Sequence, residues 1–465
     1  MSAAWKGASQ QGFPPAEPWV YHHASYAPWM KTRSLPLPQR LYRFWVVGWT
    51  FGQVYLSYKI IQKTPGLSPE VRERRVSAAH ARNAKRIYRA ATKLQGMLIK
   101  VCQFISSRVD VTPPEYVSIL GRLQDRVPPR SYEEMARQVE HQLGAAPNEI
   151  FAWFDRSPIA SASLAQVHRA RTREGADVAV KIQYPGVDRL VEADLANMAL
   201  LARFLARVEP NFDFRILLDE VRQHAPLELD FVHEGRASER IAADLGHRED
   251  VRVPTVLWQY SGLRVLTLEF IDGIKISDIA GMQAAGIDPQ HVARIVVEAY
   301  CEQILVNGFF HADPHPGNLL VLPGPVVAFL DFGLVKDLPE QFRRDYARLT
   351  VATMTGNDAE MVESFRALGF RTRSNDSESL KTLGRSFWGA TGPDAKPYMD
   401  RDMIPEVNER LARALRSNPV TQVPPEFLLI FRVLGLMSGL QKRLGSEVNM
   451  FQTIRPFAES QTDVV

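Results

Sequence analysis

The chain has 465 residues, 45% of them hydrophobic, which is enough for a sizeable core and on length alone allows two or three domains. A formal net charge of +4 with a pI near 8.9 is too mildly basic to indicate a nucleic-acid partner. The two cysteines, Cys102 and Cys301, lie too far apart in sequence to sketch a disulfide framework, so a reducing, cytoplasmic compartment is expected.

The first forty residues stand apart. Pro14, Pro15, Pro18, Pro28, Pro36 and Pro38 among aromatic and polar residues predict an irregular arm. The arm lacks the basic start and apolar core of a secretory leader, so secretion is not expected. Phe44 to Leu56 is apolar and aromatic, with Arg40 and Arg43 before it and Lys59 and Lys63 after it. The run falls short of the ~20 apolar residues that a membrane span needs. Tryptophan, tyrosine and flanking cations do suit a helix lying at the headgroup boundary, peripheral at the inner face of a membrane. A helix packed on the protein's own surface accounts for the same residues equally well.

Pro128 and Pro129 mark a boundary. After it, Ser131 to Glu134 is a Ser-x-x-Glu capping box opening a helix that Gly144 closes. Apolar alternation predicts strands near Ala165 to Arg171, Val178 to Ile182 and Arg264 to Phe270. A mostly helical stretch is expected from about Asp213 to Arg240, its apolar side supplied by Phe214, Ile216, Leu217, Leu218 and Val221. Helices near Pro289 to Asn307 and through the C-terminal third follow. Phe427 to Leu440 is apolar but contains Arg432, so it reads as a core helix.

The chemistry concentrates between His311 and Gly333. Asp313 and Asn318 stand five apart in His-Ala-Asp-Pro-His-Pro-Gly-Asn, the spacing of a phosphoryl-transfer loop in which an Asp faces the substrate hydroxyl and an Asn holds Mg²⁺. Asp331, at the end of the apolar strand Val326 to Leu330 and released by Phe332-Gly333, suits a second metal contact. Two blander readings compete. His311, Asp313 and His315 could ligate another metal, or Pro314, Pro316 and Gly317 could build a turn in which Asn318 bonds its own backbone. The two motifs in order favour a Mg-ATP site.

Such a site also needs a lysine for the phosphates and a carboxylate beside it. Val178-Ala179-Val180-Lys181 supplies the lysine, and Glu234, downstream of Glu228-Leu229-Asp230, is the preferred partner. No Gly-x-Gly-x-x-Gly precedes Lys181. Ala160, Ser161, Ala162 and Ser163 occupy the covering loop instead, and their Cβ atoms restrict backbone approach to phosphate, so altered nucleotide preference or slow turnover is expected. Glu269 to Gly273 reads as a hinge whose main chain, at Glu269 and Ile271, holds the adenine. No Ala-Pro-Glu follows Asp331-Phe332-Gly333, which discourages a protein kinase.

These residues resemble the UbiB family of atypical kinase-like proteins, also called aarF-domain-containing or ADCK proteins, from about Arg75 to Ser438. The resemblance implies an α+β, two-lobed protein-kinase-like fold with a family-specific N-terminal helical extension. It divides the chain into an arm with the aromatic segment (1–65), the extension (66–128), a smaller lobe (129–272) and a larger lobe (273–465). The family's Lys-x-Gly-Gln motif is here Lys100-Val101-Cys102-Gln103, with cysteine in place of glycine. By resemblance Lys100 pairs with Glu228 over the active site, filling the space a peptide substrate would need, and Gln103 faces the nucleotide pocket. The thiol at 102 either crowds that docking or is absorbed as a small apolar group. The implied cofactors are ATP and Mg²⁺, with Lys181, Glu234 and Asp313 in catalytic roles and Asn318 and Asp331 on the metal. The implied activity is an ATPase or small-molecule or lipid kinase serving isoprenoid-quinone or other lipid metabolism, at a membrane surface or in a biosynthetic protein complex. The alternative is a pseudokinase scaffold that binds nucleotide without transfer.

Overall fold

The computed structural model describes residues 35–66, 68–107, 112–123, 128–208, 222, 227–373, 377–388, 420–446 and 448–462. Four helices come first: α1 (Leu37–Lys63), α2 (Pro69–Leu94), α3 (Met97–Ser107) and α4 (Pro114–Leu120). Ser68 caps α2 by accepting from the Val71 amide. The helix ends where Gln95 (φ 52°) and Gly96 (φ 68°) turn the chain back into α3. Helix α5 (Tyr132–Leu143) begins at Ser131, whose hydroxyl accepts from the Glu134 amide, and stops at left-handed Gly144, both as expected.

A five-stranded antiparallel sheet forms the smaller lobe. Its path is β1 (Trp153–Phe154), β3 (Ala165–Arg171), β4 (Asp177–Gln183) and β6 (Val265–Glu269), with β2 (Ala160–Ser161) also on β3. Val178, Val180 and Ile182 are fully buried on one face of β4 and pack with Met135, Val139 and Phe151. Alternation then puts Lys181 on the other face. Helices α6 (Val187–Val208) and α7 (Phe231–Asp244) flank the sheet.

The larger lobe holds the main core, in which Tyr300, Phe309, Phe329, Phe332, Phe365 and Phe427 are buried. It contains α8 (Ile279–Ala284), α9 (Pro289–Cys301), α10 (Glu340–Met354), α11 (Asp358–Ala367), α12 (Glu378–Trp388), α13 (Pro425–Arg443) and α14 (Met450–Thr462). The helix expected over Pro289 to Asn307 is α-helical to Cys301 and finishes as a π-helical turn, Glu302–Asn307. A small sheet runs β5 (Val251–Arg252), β10 (Val326–Phe329), β9 (Leu319–Leu322) and β7 (Ile274–Lys275). Strand β5 comes from the stretch assigned to the smaller lobe yet pairs in parallel with β10, so the two lobes interleave there. A two-stranded pair, β8 (Phe309–His311) with β11 (Val335–Asp337), frames the loop that carries Asp313 and Asn318.

The aromatic segment has both faces in use. Arg43 and Ile61 of α1 are buried, whereas Leu37, Leu41, Trp45, Trp49, Leu56 and Ile60 are exposed. Trp45 and Trp49 stack at 5.9 Å on that open side. No helix among the described residues is long and apolar enough to cross a membrane.

Candidate active site

Lys181 sits on a strand bonded along both edges, opposite Val167 of β3 and Leu266 of β6. Its Nζ donates to Glu234 Oε1 at 2.6 Å and to Asp331 Oδ2 at 3.1 Å. Glu234, 3% exposed, lies in the first turn of α7. That helix can approach β6 because residue 235 is glycine: a Cβ there would stand 2.6 Å from Trp258 and 3.1 Å from Leu266 of β6. Burial pushes the Glu234 carboxyl up to about 7, Lys181 offsetting only part of it. Burial also disfavours the Lys181 cation, but Asp331 and Glu234 outweigh it and hold the ammonium above its usual range. The same balance, led by Lys181 and then Lys100, holds Asp331 well below the usual carboxylate range.

The stretch expected to be mostly helical from Asp213 to Arg240 is described continuously only from Leu227, and there it is broken in two. Residues 213–221 and 223–226 lie outside the described residues, Leu227–Leu229 is a 3₁₀ turn, and α7 begins at Phe231. Asp230 is the N-cap, accepting from the Val232 and His233 amides at 3.0 Å each. Glu228 and Glu234 therefore sit on different elements and face different lysines.

Across the cleft, the loop that carries Asp313 and Asn318 leaves β8. His311 is fully buried and its Nδ1 meets the Tyr300 hydroxyl at 2.8 Å, whereas His315 Nδ1 accepts from the Gly317 amide at 3.1 Å. The two imidazoles serve separate structural ends, and no His, Cys, Asp and Glu group suited to a metal occurs among the described residues. Asn318 Nδ2 donates to the Asp313 carbonyl at 3.2 Å, so the turn reading is part of the geometry. That bond fixes the amide and leaves its oxygen as an acceptor. The Leu330 amide donates to the Asn318 carbonyl at 3.0 Å, which carries the β10 end and Asp331 to the same place. Asp331 Oδ1 accepts from the Gly333 amide at 3.0 Å. A Cβ at 333 would lie 3.2 Å from Asp331 Oδ1 and 3.8 Å from Glu234 Oε2, so glycine keeps this space open. Two hard oxygen donors beside a lysine fit Mg²⁺ carried by a polyphosphate.

Helix α3 lies over these acids. Lys100 Nζ pairs with Glu228 Oε2 at 2.9 Å. Burial disfavours its charge, but Glu228, Asp313 and Asp331 hold it protonated. The Gln103 side chain lies outside the described residues. Cys102 is 3% exposed and packs with Ala91, Ile99, Leu120 and Leu123, so the thiol is absorbed as a small apolar group. Burial pushes its ionisation up to about 12.

The alanine-rich segment is a hairpin. Ala160 pairs with Val167, itself opposite Lys181, and the Ala162 amide donates to the Ala165 carbonyl at 2.8 Å. Ser161 Oγ meets the Tyr184 hydroxyl at 2.8 Å and Ser163 is buried, so both serine side chains serve the hairpin more than its outer face. At the hinge, the Glu269 amide already donates to the Thr255 carbonyl at 2.9 Å and its carboxylate is drawn to Arg252 and the Thr255 amide, whereas the Ile271 amide makes no hydrogen bond among the described residues. A Cβ at Gly273 would meet Leu320 at 2.9 Å, so glycine lets the hinge lie against β9.

Arg432 is the residue that sequence reasoning missed. Its Nη2 donates to Asp313 Oδ1 at 2.9 Å from 119 positions away. A lone arginine inside an apolar helix was the signal available.

A family model described as the ABC1 atypical kinase-like domain matches residues 122–365. AarF domain-containing protein kinase 1 of Gallus gallus is 34% identical over 379 residues, covering 79% of this chain and 72% of that protein. The probable serine/threonine-protein kinase abkD of Dictyostelium discoideum is 33% identical over 413 residues. The match covers 87% of this chain but 59% of abkD, so the chain spans about three fifths of that relative. The solved structure of Rv3197 with erythromycin, from Mycobacterium tuberculosis, aligns with a TM-score of 0.60 at 24% identity, covering 84% of this chain and 98% of that one. That likeness speaks to the fold alone.

Proposed function

The chain belongs to the UbiB (ABC1/AarF) family of atypical kinase-like proteins, and on that premise we propose that it binds Mg-ATP between its lobes and acts as an ATPase or small-molecule or lipid kinase. The observation that carries the reading is Lys181 bridging Glu234 and Asp331. The lysine is thereby held charged where phosphates need a cation, with Asn318 and Asp331 as oxygen donors for Mg²⁺. The metal would neutralise charge developing on the transferred phosphoryl group. Lys100, lying over the acids, argues against a peptide acceptor and for a small one.

The membrane side of the proposal rests on α1 and α2. Residues 35–94 hold twelve Lys and Arg against two Glu, a net +10 in a chain whose total is +4. Lys93 of α2 stands 5.4 Å over the Tyr42 ring, so this basic surface borders the open aromatic face of α1. Apolar side chains beside clustered cations fit an anionic lipid surface, consistent with a role in isoprenoid-quinone or other lipid metabolism and in a membrane-bound biosynthetic complex. One observation favours the scaffold alternative: Arg432 already engages Asp313, an acid that transfer requires, and Lys100 lies over the site on Glu228.

Mg-ATP hydrolysis by purified protein, with and without anionic liposomes, tests the reading. Asp331→Asn is expected to lower turnover by about 100-fold or more. Unchanged turnover in that variant removes the metal assignment, and no hydrolysis by folded wild-type protein moves the conclusion to the scaffold.

A further inference from the structure

Arg432 lies midway along α13, where Phe427, Ile430, Val433 and Leu434 are buried. Its side chain is 8% exposed. A guanidinium in such surroundings is tolerated only when a carboxylate answers it. Among the described residues the carboxylate that answers it is Asp313, through one oxygen only. Asp313 Oδ2 carries no hydrogen bond from a described residue. The other charged or titratable groups facing Asp313 are Lys100 on α3, His311 on β8 and Tyr300 on α9. Lys100 gives its ion pair to Glu228, and His311 and Tyr300 bond each other. Arg432 alone among the described residues fixes the direction of the carboxylate.

Helix α13 also packs against α3 and α9, so the arginine comes from an element wedged between the extension and the larger lobe. We propose that Arg432 is the positioning residue of Asp313, holding one carboxylate oxygen so that the other is presented to the attacking hydroxyl or water. The proposal rests on the Mg-ATP reading above. In the step it serves, the nucleophile's oxygen bonds to the γ-phosphorus as the bond from that phosphorus to the β-bridging oxygen breaks. ADP leaves, and the nucleophile's proton passes to Asp313 Oδ2.

The test combines steady-state Mg-ATP hydrolysis with thermal melts of nucleotide-free protein, for wild type, Arg432→Met, Arg432→Lys, Asp313→Asn and the Met/Asn double variant. Arg432→Met is expected to lower kcat by about 10- to 100-fold with the KM for Mg-ATP within about twofold. The double variant should lose no more than Asp313→Asn alone, Arg432→Lys should recover part of kcat, and the melting shifts should be non-additive. Losses that multiply in the double variant, or a KM rising in step with the fall in kcat, reduce Arg432 to a structural staple and overturn the proposal. Additive melting shifts overturn it too, by removing the pair, and leave the Mg-ATP site standing. Wild-type hydrolysis no faster than that of Asp331→Asn overturns the Mg-ATP reading itself and takes the proposal with it. Should Arg432→Met fail to fold, Arg432→Lys carries the same kinetic comparison.

Discussion

Two lysines reach the same group of acids by different means. Lys181 comes from β4, whose backbone is bonded to β3 on one edge and β6 on the other. Lys100 comes from α3, which has no such ladder. That helix is held at its start by Arg43 and Asp194, along its length by the small cluster around Cys102, and at the site by Glu228. The position of Lys181 is thus set by main-chain hydrogen bonds that survive any one side-chain change. The position of Lys100 depends on a few side chains, and single substitutions should unseat it while leaving Lys181 in place.

The largest expected effect is at Arg43. Its guanidinium grips Asp194 at 2.8 and 2.6 Å and donates to the Leu94 carbonyl at 2.6 Å and the Gln95 carbonyl at 3.3 Å, tying α1 and α6 to the joint that opens α3. The Asp194 side chain is fully buried. Arg43→Met leaves that carboxylate unanswered and is expected to cost about 3–5 kcal/mol. Denaturant melts measure the loss, and hydrogen exchange locates it: faster exchange at the start of α3 with β4 unchanged. Equal acceleration in β4 would break the contrast between the two lysines.

The sheet side responds to pH. Burial holds the Glu234 carboxyl up at about 7 in the fold, against about 4.5 for a carboxyl in the unfolded chain, so between those values the folded chain keeps a proton that the unfolded chain has lost. The stability this contributes is fully present below about pH 4.5 and is lost as pH rises through about 7, a change of about 3 kcal/mol. Glu234→Gln should flatten that slope in urea melts taken across the window. An unaltered slope would place the titration elsewhere and would weaken the view that Lys181 and Glu234 form a fixed, buried pair.

What could be read from the sequence follows the range of the interactions. The strand Ala165–Arg171, the Ser131 and Gly144 helix ends and the Asp313, Asn318 and Asp331 series are local patterns, with period-two alternation, cap chemistry or fixed spacing behind each. The start of α7 was equally local. Asp230 before Phe231 is a cap signal that a continuous helical reading overrode. Lys100 with Glu228 was reachable only through family resemblance. Arg43 with Asp194, 151 positions apart, and Arg432 with Asp313 had no local signal for the partner. Arg43 looked like a flanking cation of an amphipathic helix, and only tertiary packing turns it inward. Long-range ion pairs join residues whose own neighbourhoods say nothing about each other.

Cys102 gives the smallest and most diagnostic effect, because it lies in the side-chain cluster that seats α3. The thiol is neutral under ordinary conditions, held so by burial, and fills space between Ala91, Ile99, Leu120 and Leu123. Cys102→Gly restores the family residue, yet it removes that packing and puts glycine inside a helix, at about 1 kcal/mol for the helix and a similar amount for lost burial. A loss of about 1–2 kcal/mol in denaturant melts is therefore expected, with exchange rising in α3 and not in β4. If the substitution stabilises the protein instead, the thiol crowds the helix, and α3 is seated against strain. Lys100 would then be held over the acids by the pull of Glu228 more than by the fit of its own helix.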